Sequence, residues 1–134
     1  MPGYMPKSKS DKWGTPPEIY NKLNEEFKFN FDPCPITWKE GDPNGLETEW
    51  GDSTFVNPPY SKVSKWIEKA FNESKKGKTI VMLINAITDT KAFHEYIYEK
   101  AEIRFIKGRI SFIDPKNPTK KQPSPKPSML VIFK

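Results

Sequence analysis

Cysteine, histidine and long apolar runs are all scarce in this chain of 134 residues. Cys34 stands alone, so no disulfide can close within the chain, and with His94 as the single histidine an ordinary zinc site has no ligand set. No metal is expected, and a lone thiol suits a reducing compartment. No apolar stretch approaches the roughly 20 residues of a membrane helix. The first twelve residues carry charge but no apolar core of a signal peptide, which predicts an intracellular protein without membrane contact.

Apolar residues make up only 35% of the chain, yet aromatic residues reach 13%, so the material for a core is concentrated in large rings. A disordered chain would lack those rings. The formal charge is +5, a balance that favours a polyanionic partner, nucleic acid above all. The length fits one domain. Residues 1–12 read as a flexible arm and residues 13–134 as a single domain, acting as a monomer or a homodimer.

Thr15 and Glu18 have the spacing of a capping box, with Pro16 at the first helical position. Ile19, Leu23 and Phe27 then define one face of a helix over about 16–27. Lys28–Asp32 reads as a short strand that stops at Pro33-Cys34-Pro35. Residues 36–52 read as a long loop anchored by Leu46 and Trp50. Ser53–Val56 is a second strand. A helix follows, with Val63, Trp66, Ile67, Ala70 and Phe71 as its apolar stripe, Ser61 or Ser64 as its cap and Gly77 at its end. Thr79–Ile84 has the continuous apolar character of a buried parallel strand. A further helix is expected from Thr88 or Asp89, with Ala92, Phe93, Tyr96 and Ile97 turned inward and His94 structural. Glu102–Ile106, Arg109–Ile113 and Met129–Phe133 read as strands, and residues 114–128, with five prolines and four lysines, as a loop. Alternating strands and helices predict a three-layer α/β domain with a mostly parallel sheet and an antiparallel pair formed by the last two strands at one edge.

In such sheets ligands sit beyond the carboxyl ends of the strands, where Asp32-Pro33 and Asn57-Pro58-Pro59-Tyr60 both fall. The second segment suits one chemical task. The nitrogen of an aryl amine is a poor nucleophile because its lone pair is delocalised into the ring. The Asn57 amide oxygen and the Pro58 carbonyl can both accept hydrogen bonds from that NH2, drawing the nitrogen towards tetrahedral geometry. The two prolines hold the acceptors in place beforehand, and Tyr60 offers a face on which a base can stack.

Asn57-Pro58-Pro59-Tyr60 at a strand end resembles the catalytic segment of Rossmann-like amino-methyltransferases. Trp13-Gly14-Thr15-Pro16-Pro17 resembles the amino-terminal Thr-Pro-Pro segment of the adenine-specific enzymes, and Phe31-Asp32-Pro33-Cys34 their first-strand segment. Gly108–Phe112, then a loop, then Pro127–Phe133 completes the order. From about Trp13 to Phe133 the chain resembles the compact DNA N-6-adenine methyltransferases of bacteriophages. The resemblance implies S-adenosylmethionine as cofactor and DNA with a flipped adenine as substrate, in the host cytoplasm if the chain is phage-encoded. It places Asn57, Pro58, Pro59 and Tyr60 in catalysis. It places Trp13, Thr15, Pro16, Asp32, Pro33 and Asn57 at the cofactor. Seven basic side chains against the single Asp114 in residues 107–134 point to phosphate contacts. Tyr60, Lys62, Arg109, Phe112, Lys116, Lys120, Lys121 and Lys126 are the candidate nucleic-acid residues. The fold departs from the family pattern in two ways. No Gly-rich turn follows Asp32, and the roughly two dozen residues before Asn57 leave no room for the second and third strand–helix units. The acid that binds ribose hydroxyls is missing with them. Glu47, Glu49 and Asp52 are the possible substitutes, with Asp52 preferred. Methylation of RNA or of a protein glutamine, and an inactive nucleic-acid-binding relic, are the alternative readings.

Overall fold

The computed structural model describes residues 14–114 and 116–134. Helix α1 spans Pro17–Phe27, with Pro17 at a position where a missing N–H leaves no bond unmade. The expected capping box does not form: no side chain caps this end, because the Thr15 hydroxyl is engaged elsewhere. The chain leaves α1 through Lys28 in the left-handed region (φ 53°), whose N–H closes on the Asn24 carbonyl.

The strand expected at Lys28–Asp32 is reduced to one bridge, in which Phe31 pairs parallel with Thr54. The Asn30 N–H still donates to the Ser53 carbonyl (2.8 Å) and the Phe55 N–H to that of Phe31 (3.1 Å). The segment therefore lies along β1 (Ser53–Val56) where a strand would, until Pro33, which has no N–H to give. Residues 36–52 form the turns expected of a loop, closed onto the core by Trp50.

Helix α2 (Val63–Ser74) follows a 3-10 turn at Tyr60–Lys62 and buries Trp66, Ile67 and Ala70 as its stripe requires. Neither Ser61 nor Ser64 caps it. Gly77 (φ 88°) then reverses the chain into β2 (Thr79–Asn85). The helix expected from Thr88 or Asp89 starts later, at Lys91, and is short, continuing as a π-helix over Phe93–Ile97. The Thr90 hydroxyl accepts from the Phe93 N–H at its start, and Glu99 (φ 63°) lies just beyond its end. Phe93 and Ile97 are buried as expected, and His94 Nε2 donates to the Thr88 carbonyl (2.8 Å), a structural role.

Strands β3 (Glu102–Phe105), β4 (Ser111–Asp114), β5 (Asn117–Pro123) and β6 (Ser128–Phe133) complete the chain. The main sheet has the order β1-β2-β6-β3. Only β1 and β2 are parallel neighbours; β6 runs antiparallel to both β2 and β3. Three strands thus share one direction and β6 alone opposes them, so the sheet is mixed. The expectation of an antiparallel pair at the edge is corrected: the last strand is central, and β4 pairs with β5 in a separate hairpin. The proline-rich segment read as a loop supplies β5, which has no second neighbour among the described residues and so tolerates missing N–H groups.

Alternation along the strands divides the core. Val56, Ile80, Met82, Ile84, Met129, Val131 and Phe133 pack against α2 and the π turn. Phe55, Val81, Leu83, Leu130 and Ile132 face α1 together with Ile110 and Phe112 from the hairpin region. The sheet is therefore the middle of three layers, as anticipated.

At the amino-terminal edge of the sheet a buried charge cluster closes the loop. Glu73 is 1% exposed. It accepts from Lys78 (2.7 Å), Lys69 (2.9 Å), Lys76 (3.0 Å) and the Trp50 N–H (2.9 Å). Lys78 also donates to the Trp50 carbonyl and to Glu49. Burial opposes ionisation of Glu73, but the four hydrogen bonds together outweigh it and hold the carboxyl far below its ordinary range. Glu73→Gln is expected to cost about 3 kcal/mol in denaturant unfolding, because the buried Lys78 keeps only the exposed Glu49 as a charged partner. Since the folded-state pKa of Glu73 is depressed, its stabilisation is present above the unfolded value of 4.5 and fades as pH falls below it. The deficit of the variant should therefore shrink below that pH.

Candidate active site

The carboxyl end of β1 carries the site. With Phe55 facing α1 and Val56 facing α2, the next side chain, Asn57, turns to the α1 side. There its Nδ2 donates to Thr15 Oγ1 (3.0 Å). This bond spans 42 residues and ties the amide at the end of β1 to the segment before α1. Thr15 is itself held in place. Gly14 exchanges two backbone hydrogen bonds with Ile113 of β4 (2.7 and 2.9 Å), so the hairpin, Thr15 and Asn57 form one connected unit. A Cβ at Gly14 would stand 2.7 Å from Ile36 Cδ1, too close for an ordinary contact.

Pro58 is buried and Pro59 half-buried, and they deliver the chain to Tyr60, which is 41% exposed at the start of the 3-10 turn. The Tyr60 side chain is thus partly exposed at the surface. Pro16 is buried beside Thr15.

Asp32 emerges at the same edge, one residue beyond the Phe31–Thr54 bridge. Its Oδ1 accepts from the Cys34 N–H (2.9 Å), forming a turn over the buried Pro33. The side chain is exposed and lines neither cleft. Desolvation pushes its carboxyl up to about 6 against the opposing Cys34 bond. Two clefts flank the Asn57–Tyr60 turn. One, of about 300 Å³, runs from Pro33 and Cys34 to Pro59 and Lys62. The other, of about 180 Å³, lies beneath Tyr60 against Ile84, Asn85 and Ile87.

Several expected site residues are placed elsewhere. Asp52 precedes β1, at its opposite end. Five residues of extended chain put it about 16 Å from Asn57, so it cannot serve a ligand at the carboxyl edge. Glu49 is spent on Lys78 at that same far edge. Phe112 is buried in the core layer beneath α1, where it cannot pack against an extruded base. Trp13 lies outside the described residues. Lys62, Arg109, Lys116, Lys120, Lys121 and Lys126 are all exposed; every one but Lys62 belongs to β4, β5 or their flanks. The sequence reading missed Trp38, a half-buried ring in the loop that lines the larger cleft. An aromatic residue in a polar, turn-rich loop was the available signal.

A mixed α/β sheet with a rigid polar turn and a desolvated carboxylate at the carboxyl ends of its strands defines an α/β protein with a ligand site at that edge. The particular family is given by comparison. The family model for DNA N-6-adenine-methyltransferase (Dam) matches residues 3–134, and the chain belongs to that family. It is 32% identical to the DNA N-6-adenine-methyltransferase of Haemophilus phage HP1 (strain HP1c1), over 95% of this chain and 80% of the relative. It is 28% identical to the DNA N-6-adenine-methyltransferase of Escherichia phage T1, over 79% of this chain but only 49% of the relative. No described helix is long and apolar enough to cross a membrane, and no cluster of metal-binding side chains occurs among the described residues.

Asp32→Asn is expected to raise the melting temperature at pH 8. The folded pKa is raised from 3.8 to about 6, so the native state loses stability as pH rises through that window and stays lower above it. The advantage of the amide should be full above about pH 6 and vanish near pH 4. Thermal scans across this range check it; a difference independent of pH contradicts the desolvated placement of Asp32.

Proposed function

We propose that this chain transfers a methyl group from S-adenosylmethionine to the exocyclic N6 of adenine in DNA, on a truncated Rossmann-like fold, within the host cytoplasm. The family is that of DNA adenine methyltransferases. The observation that carries the reading is the fixed amide of Asn57 at a strand end, beside an exposed Tyr60 ring.

Asn57 Oδ1 and the Pro58 carbonyl accept the two N–H bonds of the adenine amine and localise its lone pair. Pro59 keeps the turn stiff, and Tyr60 stacks on the extruded base. No strong general base is required, because the amine becomes acidic only after the methyl has arrived and then gives its proton to water. The cofactor supplies an electrophilic methyl on a sulfonium. Thr15, Pro16, Asp32, Pro33 and Asn57 are the residues that hold it. The fit is electrostatic: the Asp32 carboxylate is disfavoured by its own surroundings, and a cationic amino group such as that of a methionine moiety is the partner that relieves it. Cofactor affinity should accordingly weaken as pH falls through about 6.

Exposed Lys116, Lys120, Lys121, Lys126 and Arg109 contact phosphates from the hairpin and its flanks, and Lys62 does so from the start of α2. Because β4 is bonded to Gly14, DNA bound there is registered against Thr15 and Asn57. Lys120→Ala combined with Lys121→Ala should weaken binding across all DNA sequences and flatten the salt dependence by roughly 2 in log–log slope.

The decisive experiment incubates unmethylated DNA with labelled cofactor and digests it to nucleosides. Label in N6-methyladenine is expected, and Asn57→Ala should abolish it while leaving DNA affinity within about threefold. Label on cytosine, on RNA only or on protein would overturn the assignment.

A further inference from the structure

We infer that Phe105 is a wedge that enters the base stack of bound DNA where the target adenine leaves it. This rests on the methylation reading above and adds a DNA-contacting residue from a strand that the reading does not use.

Phe105 is 69% exposed, more than any other large apolar side chain among the described residues. An isolated exposed apolar side chain is ordinary on a protein surface. What sets Phe105 apart is where it stands. It is the last residue of β3, which runs parallel to β1 and β2, so it lies at the same carboxyl edge as the Asn57–Tyr60 turn. Its face follows from alternation. Ile103 packs into the core on the α2 side and Arg104 reaches Glu26 on α1, so Phe105 returns to the α2 side.

Across the ladder Phe105 faces Met129, which in turn faces Ile84. Met129 and Ile84 both line the smaller cleft beneath Tyr60. The ring therefore stands in line with that cleft but outside it, one strand spacing of about 4.8 Å beyond Met129. Three such spacings, about 14 Å, separate β1 from β3. The major groove of DNA is about 12 Å wide. One duplex laid along this edge can thus hand a base to Tyr60 while its stack lies over Phe105.

The strand that carries the ring is anchored. Arg104 donates to both oxygens of Glu26 (2.8 and 2.7 Å) and to Glu102 (2.7 Å), and the Ile106 N–H donates to the Ser128 carbonyl (3.1 Å). Lys107 and Arg109, both exposed, follow within four residues and lead into the basic hairpin. Phosphate-binding charge beside a fixed apolar ring is the combination by which proteins open a base step. Extruding a base costs its pairing and stacking, and a ring that takes up the vacated space offsets the lost stacking.

The test is single-turnover methylation at saturating cofactor on a short duplex carrying one site, identified by sequencing of methylated DNA. The target adenine faces either thymine or an abasic analogue, which leaves it unpaired and easier to extrude. Phe105→Ala should slow the paired substrate by about tenfold or more and the abasic substrate by less than about threefold. Phe105→Trp, which keeps a ring, should stay within about threefold of wild type on both. With 2-aminopurine at the target position, the fluorescence rise on binding of wild type should be lost with Phe105→Ala. Melting curves of both variants should match wild type, because the ring is exposed. Equal losses on the two duplexes, or no loss on either, would overturn the wedge and leave the methylation reading standing. A wild-type chain that methylates adenine in neither duplex would overturn both.

Discussion

The hydrogen bond from Asn57 to Thr15 is the contact on which the site depends. It joins the end of β1 to the segment before α1 and anchors one amide. An amide that could flip would offer a donor where an incoming amine needs an acceptor. Thr15 is kept on station by the Gly14–Ile113 pairing. The basic hairpin, the Asn57–Tyr60 turn and the threonine before α1 are thereby one mechanical unit rather than three separate features.

Stability and function occupy opposite edges of the sheet. At the amino-terminal edge, Glu73, Lys78 and Trp50 form a closed cluster in which every charge is answered. That cluster fixes Trp50, which stacks on Trp66 (ring centroids 6.1 Å apart), and Trp66 is a wall of the larger cleft. At the carboxyl edge the opposite holds. Asp32 is raised by desolvation and Trp66 Nε1 is unsatisfied. Local costs of this kind concentrate where a ligand is to be bound. The loop over residues 36–50 covers this edge of the sheet and lines the larger cleft.

Much of this was legible in the residues. The stripe Val63, Trp66, Ile67, Ala70 and Phe71 and the apolar run from Thr79 gave α2 and β2 through simple periodicity, and the Asn57–Tyr60 turn through its position after a strand. What failed did so for identifiable reasons. Thr15 and Glu18 have capping-box spacing, but a hydroxyl has one environment, and a partner 42 residues away claimed it. The prolines of β5 suggested a loop because a central strand would not accept them; a strand with one neighbour does. Phe112 looked available for a base because sequence does not say which face of a hairpin meets α1. Asp52 was the preferred substitute for the missing acid, yet an extended strand turns its short separation from Asn57 into the full depth of the sheet. Trp38 carried no periodic signal, only that of an aromatic ring in a polar loop, and its place at the larger cleft follows from how that loop folds.

The most direct test of the central claim is the single-turnover methyl-transfer rate at saturating cofactor and DNA for Thr15→Val against Thr15→Ser. A fixed amide predicts a loss of about 30-fold or more for valine and near wild-type chemistry for serine, which keeps the hydroxyl. Equal rates for the two variants would contradict the account, since the orientation of Asn57 would then owe nothing to Thr15.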